Sequence, residues 1–500
     1  MFDYDHLIFL AETKVYEEML KIPTKIYIGP DKIPPLLLRK CALSLAKPVA
    51  FILRWSYLNS VVPDLWKHAT IIPLYKGKGL DKASPTNYRP VALTSPIAKL
   101  AEKFIYDDLK PFLENKQCFP NFQHGFMNNK SVTSLLVELV DDLSLALDSK
   151  KCIDLIFFDF KAAFDTVDLG ILLSKLAAAG IGGRCLQWLD NFLTHRFISV
   201  SVNNKVSGSV HMNLGVAQGS ILGPIMFNFY VSDILSNYVL PPSLFVKQFA
   251  DDLQAYSIYD TDNAQQAHLT FNSFIVHIHE WSKANLLNLS LDKVKIMHFG
   301  NNNPQIKYSI DNHQIESVDT ARNLGLIMTR DLKWNTHISN KCSVALRKWY
   351  NIARTTEITD LEALTLLYKS LVRPILEFPS IIFNPITTTL VNLLERVQRR
   401  ITRHILFKSK AVENIPYEKR LKLLKLDALE IRRNKLDVIY YSKIINGEVK
   451  IINEKIPKIM PHFRTRNPPK FAYRPFSRLM IRRQSFLLRA PKKIFLLSFQ

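Results

Sequence analysis

Three carboxylates in this sequence have the setting that metal-assisted chemistry needs. Asp159 closes CIDLIFFDF, a short apolar run rich in Ile and Phe that predicts a buried strand. Asp251 and Asp252 occupy a tight acidic turn between two apolar strands, FVKQFA and LQAYSIY. Two such strands side by side would bring the three carboxylates together, where like charges repel strongly unless divalent cations hold them. Two Mg²⁺ ions about 3.5–4 Å apart would do so, and they suit in-line phosphoryl transfer: one activates an attacking 3′-hydroxyl, the other steadies a leaving pyrophosphate. An Asp-Asp pair by itself says little. Asp107-Asp108 and Asp141-Asp142 are pairs of the same kind and read as plain charges on helix surfaces. The hairpin setting and the matching Asp159 set Asp251-Asp252 apart.

Other residues could serve the same chemistry, each with a plainer reading beside it. Phe164 lies five residues after Asp159 in FFDFKAAFDTV. Its ring could wall a sugar pocket and exclude a 2′-hydroxyl, but in a chain with 30 Phe a core position is the default. Gln218-Gly219 opens a helix after a loop; glycine permits close backbone approach and Gln218 could reach a base or backbone edge, or the segment is an ordinary turn. Lys76 and Lys78 in YKGKG, with Arg89 in NYRP, are loop cations that could clamp a triphosphate, or surface charges. Lys293 and Lys295 lie beside a late strand, where a lysine could protonate a leaving pyrophosphate.

These residues need elements to hold them. Residues 1–60 read as helical, with a turn at Gly29-Pro30-Asp31. HATIIPLYKGKG predicts a strand running into a basic glycine loop, and NYRPVALTSPIAKLAEKFIYDDLKPFL a loop, a short strand and a helix. Residues 131–149 have helical apolar spacing behind a capping Ser. Beyond Asp159 come a helix, a second helix around CLQWLDNFL, a hairpin from FISVSVNN and GSVHMNL, and a long apolar helix after Gly219. HLTFNSFIVHIHEWSKANLL predicts an amphipathic helix and VKIMHFG a strand. Residues 340–450 read as helical and basic; after 456 prolines and arginines dominate, with little periodicity.

Composition bounds the function classes. The 500 residues carry a net charge of +22, with 47% hydrophobic and 22% charged residues, which suits a folded chain with a core. The five cysteines (Cys41, Cys118, Cys152, Cys185, Cys342) are scattered without a CxxC pair, which argues against a disulfide framework and a zinc ribbon. MFDYDHLIFL has acids where a signal peptide needs bases, and the longest apolar stretches are cut by Lys or Arg, so no membrane span and an intracellular setting (nucleus or cytoplasm) are expected. The charge is concentrated late. Residues 451–500 hold 12 Lys/Arg against one Glu, and residues 391–435 hold 13 Lys/Arg against five acids. A basic C-terminal third suits a polyanion such as nucleic acid, or a solvated helix face and tail.

In combination these segments resemble the reverse transcriptases of non-LTR retrotransposons, of the jockey-like and CR1-like lineages. FFDFKAAFDTVDLGILLSKL resembles motif A, which implies Asp159 as a metal ligand and Phe164 as a steric gate. AQGSILGPIMFNFYVSDI resembles motif B, with Gln218 and Gly219 near template and nucleotide. QFADDLQAYS resembles motif C, with Asp251 and Asp252 as the other metal ligands. LNLSLDKVKIMHFG resembles motif D, with Lys293 as general acid, and NLGLIMTRDLKWNTHI the primer grip at Leu324 and Gly325. WKHATIIPLYKGKG, NYRPVALTSPIAKLAEKFI and QHGFMNNKSVTSLL resemble the finger motifs, with Lys76 and Arg89 on the nucleotide. The likeness runs over roughly residues 20–450.

The resemblance implies an α+β right-hand polymerase with an antiparallel palm sheet and a helical thumb. The implied layout is an N-terminal helical extension (1–54), fingers and palm (55–330), a basic helical thumb (331–450) and a basic C-terminal tail (451–500). The implied reaction is RNA-directed DNA synthesis with two Mg²⁺ ions, or Mn²⁺ in their place; the partners are an RNA template, a DNA primer and deoxynucleoside triphosphates, with no membrane. The sequence departs from the family pattern in Ala217 for a Pro, Asn323 for an aromatic before Leu-Gly, and LSLDKVK for Asn-Pro-x-Lys-Thr. Only about sixty residues precede the fingers, so the apurinic-type endonuclease of such elements is not expected. The rival expectation is a catalytically silent, truncated element-derived protein that binds nucleic acid. An RNA-dependent RNA polymerase is disfavoured by Phe164.

Overall fold

The computed structural model describes residues 11–23, 29–77, 79–203, 205–411, 415–452, 459–461, 470–472 and 477–497. Lys78 and most of 453–476 lie outside the described residues, and so do parts of the expected N-terminal helical stretch.

In chain order the elements include helices α1 (Glu12–Lys21) and α2 (Ala42–Leu58), strands β1 (His68–Tyr75) and β2 (Tyr88–Leu93), and helices α3 (Pro96–Asn115) and α4 (Val132–Asp148). Strand β3 (Cys152–Phe158), helices α5 (Leu169–Ala178) and α6 (Gly183–Leu193), and strands β4 (Arg196–Val202) and β5 (Val210–Met212) come next. Then come α7 (Gly223–Tyr230), β6 (Leu244–Phe249), β7 (Asp252–Tyr259), α8 (Ala264–Ala284), β8 (Lys295–Phe299), β9 (Glu316–Ser317), β10 (Thr320–Asn323) and β11 (Leu326–Thr329). The last third is helical, with α9 (Asn335–Thr355), α10 (Thr388–Lys408), α11 (Leu429–Ile445), α12 (Met480–Gln484) and α13 (Phe486–Leu497) among its elements. Local chemistry starts several of these helices. Ser95 accepts from the Ile97 and Ala98 amides ahead of Pro96 at the head of α3, Ser131 and Ser134 form a reciprocal cap on α4, and Asp168 accepts from the Ile171 amide at α5.

The chain divides into two compact units, Met1–Phe126 with Asp159–Val239 and Phe274–Ser290, and Met127–Phe158 with Leu240–Ser273 and Leu291–Gln500. In the first unit β1 runs antiparallel to β2 and parallel to β4, and β4 forms the expected hairpin with β5.

The second unit is built on a sheet of β6, β7, β3, β8 and β9. β3 pairs antiparallel with β7, from Cys152↔Tyr259 to Phe158↔Leu253, and antiparallel with β8 on its other side. The sheet is not wholly antiparallel, contrary to expectation. After β8 the chain crosses over before β9, so this short edge strand returns parallel. Helix α4 packs on the sheet, and its Leu135, Leu139 and Leu143 share a core with Leu155, Tyr256 and Met297. A second core, with Trp349, Tyr368, Leu394 and Ile401, holds the late helices.

Three further expectations need correction. The helix after Gly219 is short: α7 has 8 residues, and beyond it the Ser232 and Ile234 amides reach back only three residues, to Phe229 and Val231, which tightens the chain out of α-helix. Asp141 and Asp142 are not plain surface charges. Asp141 is buried and paired with Arg482, and Asp142 accepts from the Tyr256 hydroxyl; only Asp107 and Asp108 are exposed. Residues 477–497 are not aperiodic, because Phe486, Leu487 and Ala490 of α13 join the same core as α4.

Candidate nucleotidyl-transfer site

Strand β3 is buried at six of its seven positions, so it lies in the middle of the sheet and fixes the start of the segment beyond it. Its last residue, Phe158, is paired with Leu253. Asp159 is the next residue in the chain, and Asp252 immediately precedes Leu253. Asp251 lies in a two-residue turn closed by the Phe249↔Asp252 pair, in which Ala250 takes the left-handed φ of 55° that tight hairpins use. All three carboxylates therefore lie within two residues of the Phe158–Leu253 pair. Asp252 is exposed, and Asp159 and Asp251 are half-buried. Among the described residues no three His, Cys, Asp or Glu side chains already converge as a metal-holding group. The donor set itself is the hard, oxygen-only kind that Mg²⁺ takes.

The segment after Asp159 belongs to the first unit. The Asp159 carbonyl accepts from the Ser290 amide at 2.7 Å. Four residues beyond Phe160, the chain is zipped to the segment that carries Gln218: the Val216 amide donates to Phe164 and the Gly215 amide to Val167, both at 2.8 Å. A Cβ on Gly215 would lie 2.7 Å from the Asp165 carbonyl, so this contact requires glycine. Gln218 donates from Nε2 to the Asp165 carboxylate at 3.3 and 3.4 Å, and its carbonyl accepts from the Ala92 amide of β2 at 2.9 Å. Gly219 has φ 121°, and a Cβ there would lie 2.7 Å from the Ala92 carbonyl oxygen. The close approach expected of this glycine is thus to β2. Burial pushes the Asp165 carboxyl up, against the opposing pull of Gln218 and the Lys76 charge.

Glu102 of α3 supports the same loop from beneath. It is wholly buried and its Oε2 accepts from the Ile221 and Leu222 amides at 2.6 and 3.0 Å, at the entry to α7. Burial pushes its carboxyl up, with those two amides and the buried Arg196 pulling the other way. Phe164 is half-buried and stacks on Phe227 of α7. Lys76 is exposed and its Nζ donates to the Thr86 carbonyl at 2.7 Å; Arg89 is exposed opposite Leu74.

In the second unit, Lys293 ends a single 3₁₀ turn just before β8 and is exposed, while Lys295 is paired with Glu316 at 3.0 Å. Leu324 and Gly325 form the two-residue turn between β10 and β11, with φ of 45° and 88°. Asn323, before that turn, is buried and donates to Gln254 Oε1 of β7 at 2.6 Å. The departure from an aromatic at this position thus has a structural role: it ties the turn to the strand that begins with Asp252.

Sequence reasoning missed Glu102, Asp165 and Gln254. Asp165 had a signal, a second acid in FFDFKAAFDTV. Glu102 and Gln254 had none, because their partners are distant in sequence.

Comparison with known proteins gives a consistent answer. The profile of the family described as reverse transcriptase (RNA-dependent DNA polymerase) matches residues 79–328. A probable RNA-directed DNA polymerase from transposon BS of Drosophila melanogaster is 26% identical over 290 residues, 56% of this chain and 31% of that one. One from transposon X-element of the same species is 25% identical over 401 residues, 75% of this chain and 43% of the other. The RNA-directed DNA polymerase from its mobile element jockey is 24% identical over 395 residues, 77% and 42% of the two chains. The chain spans less than half the length of each of these relatives. Among the described residues no helix is long and apolar enough to cross a membrane.

Proposed function

The chain belongs to the reverse transcriptase (RNA-dependent DNA polymerase) family, and from that premise we propose that it adds deoxynucleotides to the 3′-end of a DNA primer along an RNA template. The observation that carries this reading is the pairing of β3 with β7, whose end lies next to Asp159, Asp251 and Asp252 in the chain. The mixed α and β architecture agrees with the right-hand polymerase fold that the family implies. Within it, residues 55–330 are read as fingers and palm, 331–450 as thumb, 1–54 as an N-terminal extension and 451–500 as a C-terminal segment.

The family uses divalent metal ions. Asp159, Asp251 and Asp252 are the residues that would hold two Mg²⁺ ions, which supply activation of the 3′-hydroxyl and neutralisation of the departing pyrophosphate. The remaining steps belong to this chain's own side chains. Lys76 and Arg89 attract the triphosphate. Phe164 faces the sugar and leaves no room for a 2′-hydroxyl. Gln218, held by Asp165 and by Ala92, borders the nascent base pair, and Gly219 lets its loop lie against β2. Lys293 donates the proton that the leaving pyrophosphate takes up. Leu324 and Gly325 orient the primer end, and the Asn323–Gln254 bond keeps that turn in register with β7. The basic helices track the phosphate backbone without reading sequence.

A template challenge tests the reading. Primer extension is measured on an RNA and a DNA template of one sequence, with and without chelator. Chelator-sensitive deoxynucleotide addition on RNA is expected. Template–primer binding without addition under any divalent metal would instead favour a catalytically silent nucleic-acid-binding protein.

A further inference from the structure

Phe164 is held by two other rings from distant parts of the first unit. Phe227 stacks beneath it, centroids 4.4 Å apart and planes 17° apart. Phe126 meets it edge-on, centroids 6.3 Å apart and planes 81° apart. Both geometries are favoured by the ring quadrupole. The supporting rings differ in kind. Phe227 is 0% exposed and belongs to the core. Phe126 is 49% exposed and has a φ of 55°, a left-handed backbone that bulky side chains avoid. A phenylalanine serving only the core would hide its ring and keep an ordinary backbone. Neighbouring bonds hold Phe126 in this conformation. Asn228, next to Phe227, donates from Nδ2 to the Gly125 carbonyl at 2.7 Å, and the Gly125 amide donates to Gln123 Oε1 at 2.8 Å. The turn of α7 that lies under Phe164 therefore also anchors the peptide that presents Phe126.

We infer that Phe126 is a positioning residue for sugar selection: its ring packs edge-to-face with Phe164, so that Phe164, stacked on Phe227 and abutted by Phe126, cannot swing aside to admit a ribose 2′-hydroxyl. The inference rests on the reading of Phe164 as the residue that faces the sugar. With Phe227 alone, Phe164 keeps its floor and loses its lateral stop; it then samples other side-chain rotamers. Selection between deoxyribo- and ribonucleotide would weaken without any loss of the carboxylates or of template–primer binding.

The test is single-nucleotide incorporation on an RNA template, reporting the ratio of kcat/KM for a deoxynucleotide to that for its ribonucleotide. The variants are Phe126→Gly, Phe126→Leu, Phe126→Tyr and Phe164→Val. Phe126→Gly removes the ring and also relaxes the left-handed backbone, so it does not suffer the strain that could unfold another variant. The ratio should fall about two- to tenfold in Phe126→Gly and Phe126→Leu, the range that one edge-to-face ring pair corresponds to. Phe126→Tyr, which keeps the ring, should hold the ratio. A fall in Phe164→Val with no change in Phe126→Gly and Phe126→Leu would overturn the positioning role and leave the gate standing. An unchanged ratio in Phe164→Val would remove the gate itself, and the role of Phe126 with it. Absence of any nucleotide addition by the unaltered chain would overturn the polymerase reading on which both depend.

Discussion

At the scale of single residues, the loop that carries Gln218 is held by close backbone contacts and a buried carboxylate. Gly219→Ala puts a Cβ 2.7 Å from the Ala92 carbonyl oxygen on a backbone with φ 121°, so it should destabilise the loop by about 1–3 kcal/mol. A lower thermal midpoint together with lost nucleotide addition is the expected outcome; unchanged addition would show that the contact with β2 is dispensable. Glu102→Ala leaves the Ile221 and Leu222 amides without their acceptor, a loss of about 2–4 kcal/mol. Hydrogen exchange should show those two amides losing protection before the rest of the unit. The acids at 159, 251 and 252 were legible in the sequence because each sits at the end of a hydrophobic run whose period and length declare a strand. Glu102 was not legible. It reads as one more charge on the amphipathic helix α3, and only the arrival of residues 221–222 from more than a hundred positions away gives it a partner.

At the scale of elements, the β10–β11 turn is held on two sides, by Asn323 on Gln254 and by His337 of α9, whose Nδ1 accepts from the Ile327 amide at 3.1 Å. An accepting imidazole nitrogen must be unprotonated. Burial, aided by the Lys341 and Arg322 charges, pushes His337 down to about 3, whereas an unfolded histidine titrates at ~6.5. The unfolded chain therefore takes up this proton first. The stabilisation is present above that unfolded value and is lost as pH falls toward the folded one. Unfolding monitored between pH 7 and pH 5 should show a declining midpoint that His337→Gln flattens; an identical slope in both proteins would contradict the assignment. Among the late helices, α10 presents exposed Arg396 and Arg403. Replacing either with Ala should lower the salt slope of template–primer binding by about one unit, without sequence preference. Most elements were readable from local pattern: β3 from its Ile/Phe run, α4 from its cap, the β6–β7 hairpin from its acidic turn. The parallel return of β9 and the early end of α7 were not, since a two-residue edge strand and a helix tightened by its own Ser and backbone bonds leave no periodic signal.

At the scale of the whole molecule, the second unit holds two cores and closes one of them with the end of the described chain. Arg482 is buried against Asp141, and Arg489 pairs at 3.0 Å with the fully buried Asp437. A run that reads as a basic tail thus supplies cations to two buried acids, one of which, Asp141, reads as surface charge. Charge counts alone could not reveal this, because burial is decided by pairing across 341 residues for Arg482 and 52 for Arg489. Arg489→Met removes the guanidinium paired with Asp437 at 3.0 Å, which should destabilise the second unit by about 3–5 kcal/mol, read as an earlier unfolding transition. That core holds side chains of β3 and β7, at whose ends the polymerase centre is proposed. The most direct measurement is primer extension on an RNA template with Mg²⁺ and deoxynucleotides, comparing the unaltered chain with Asp251→Ala/Asp252→Ala. Extension by the unaltered chain and none by the variant, with template–primer binding retained in both, is the predicted result. Equal extension by the two proteins would contradict the account, because the reaction would then proceed without the acidic pair.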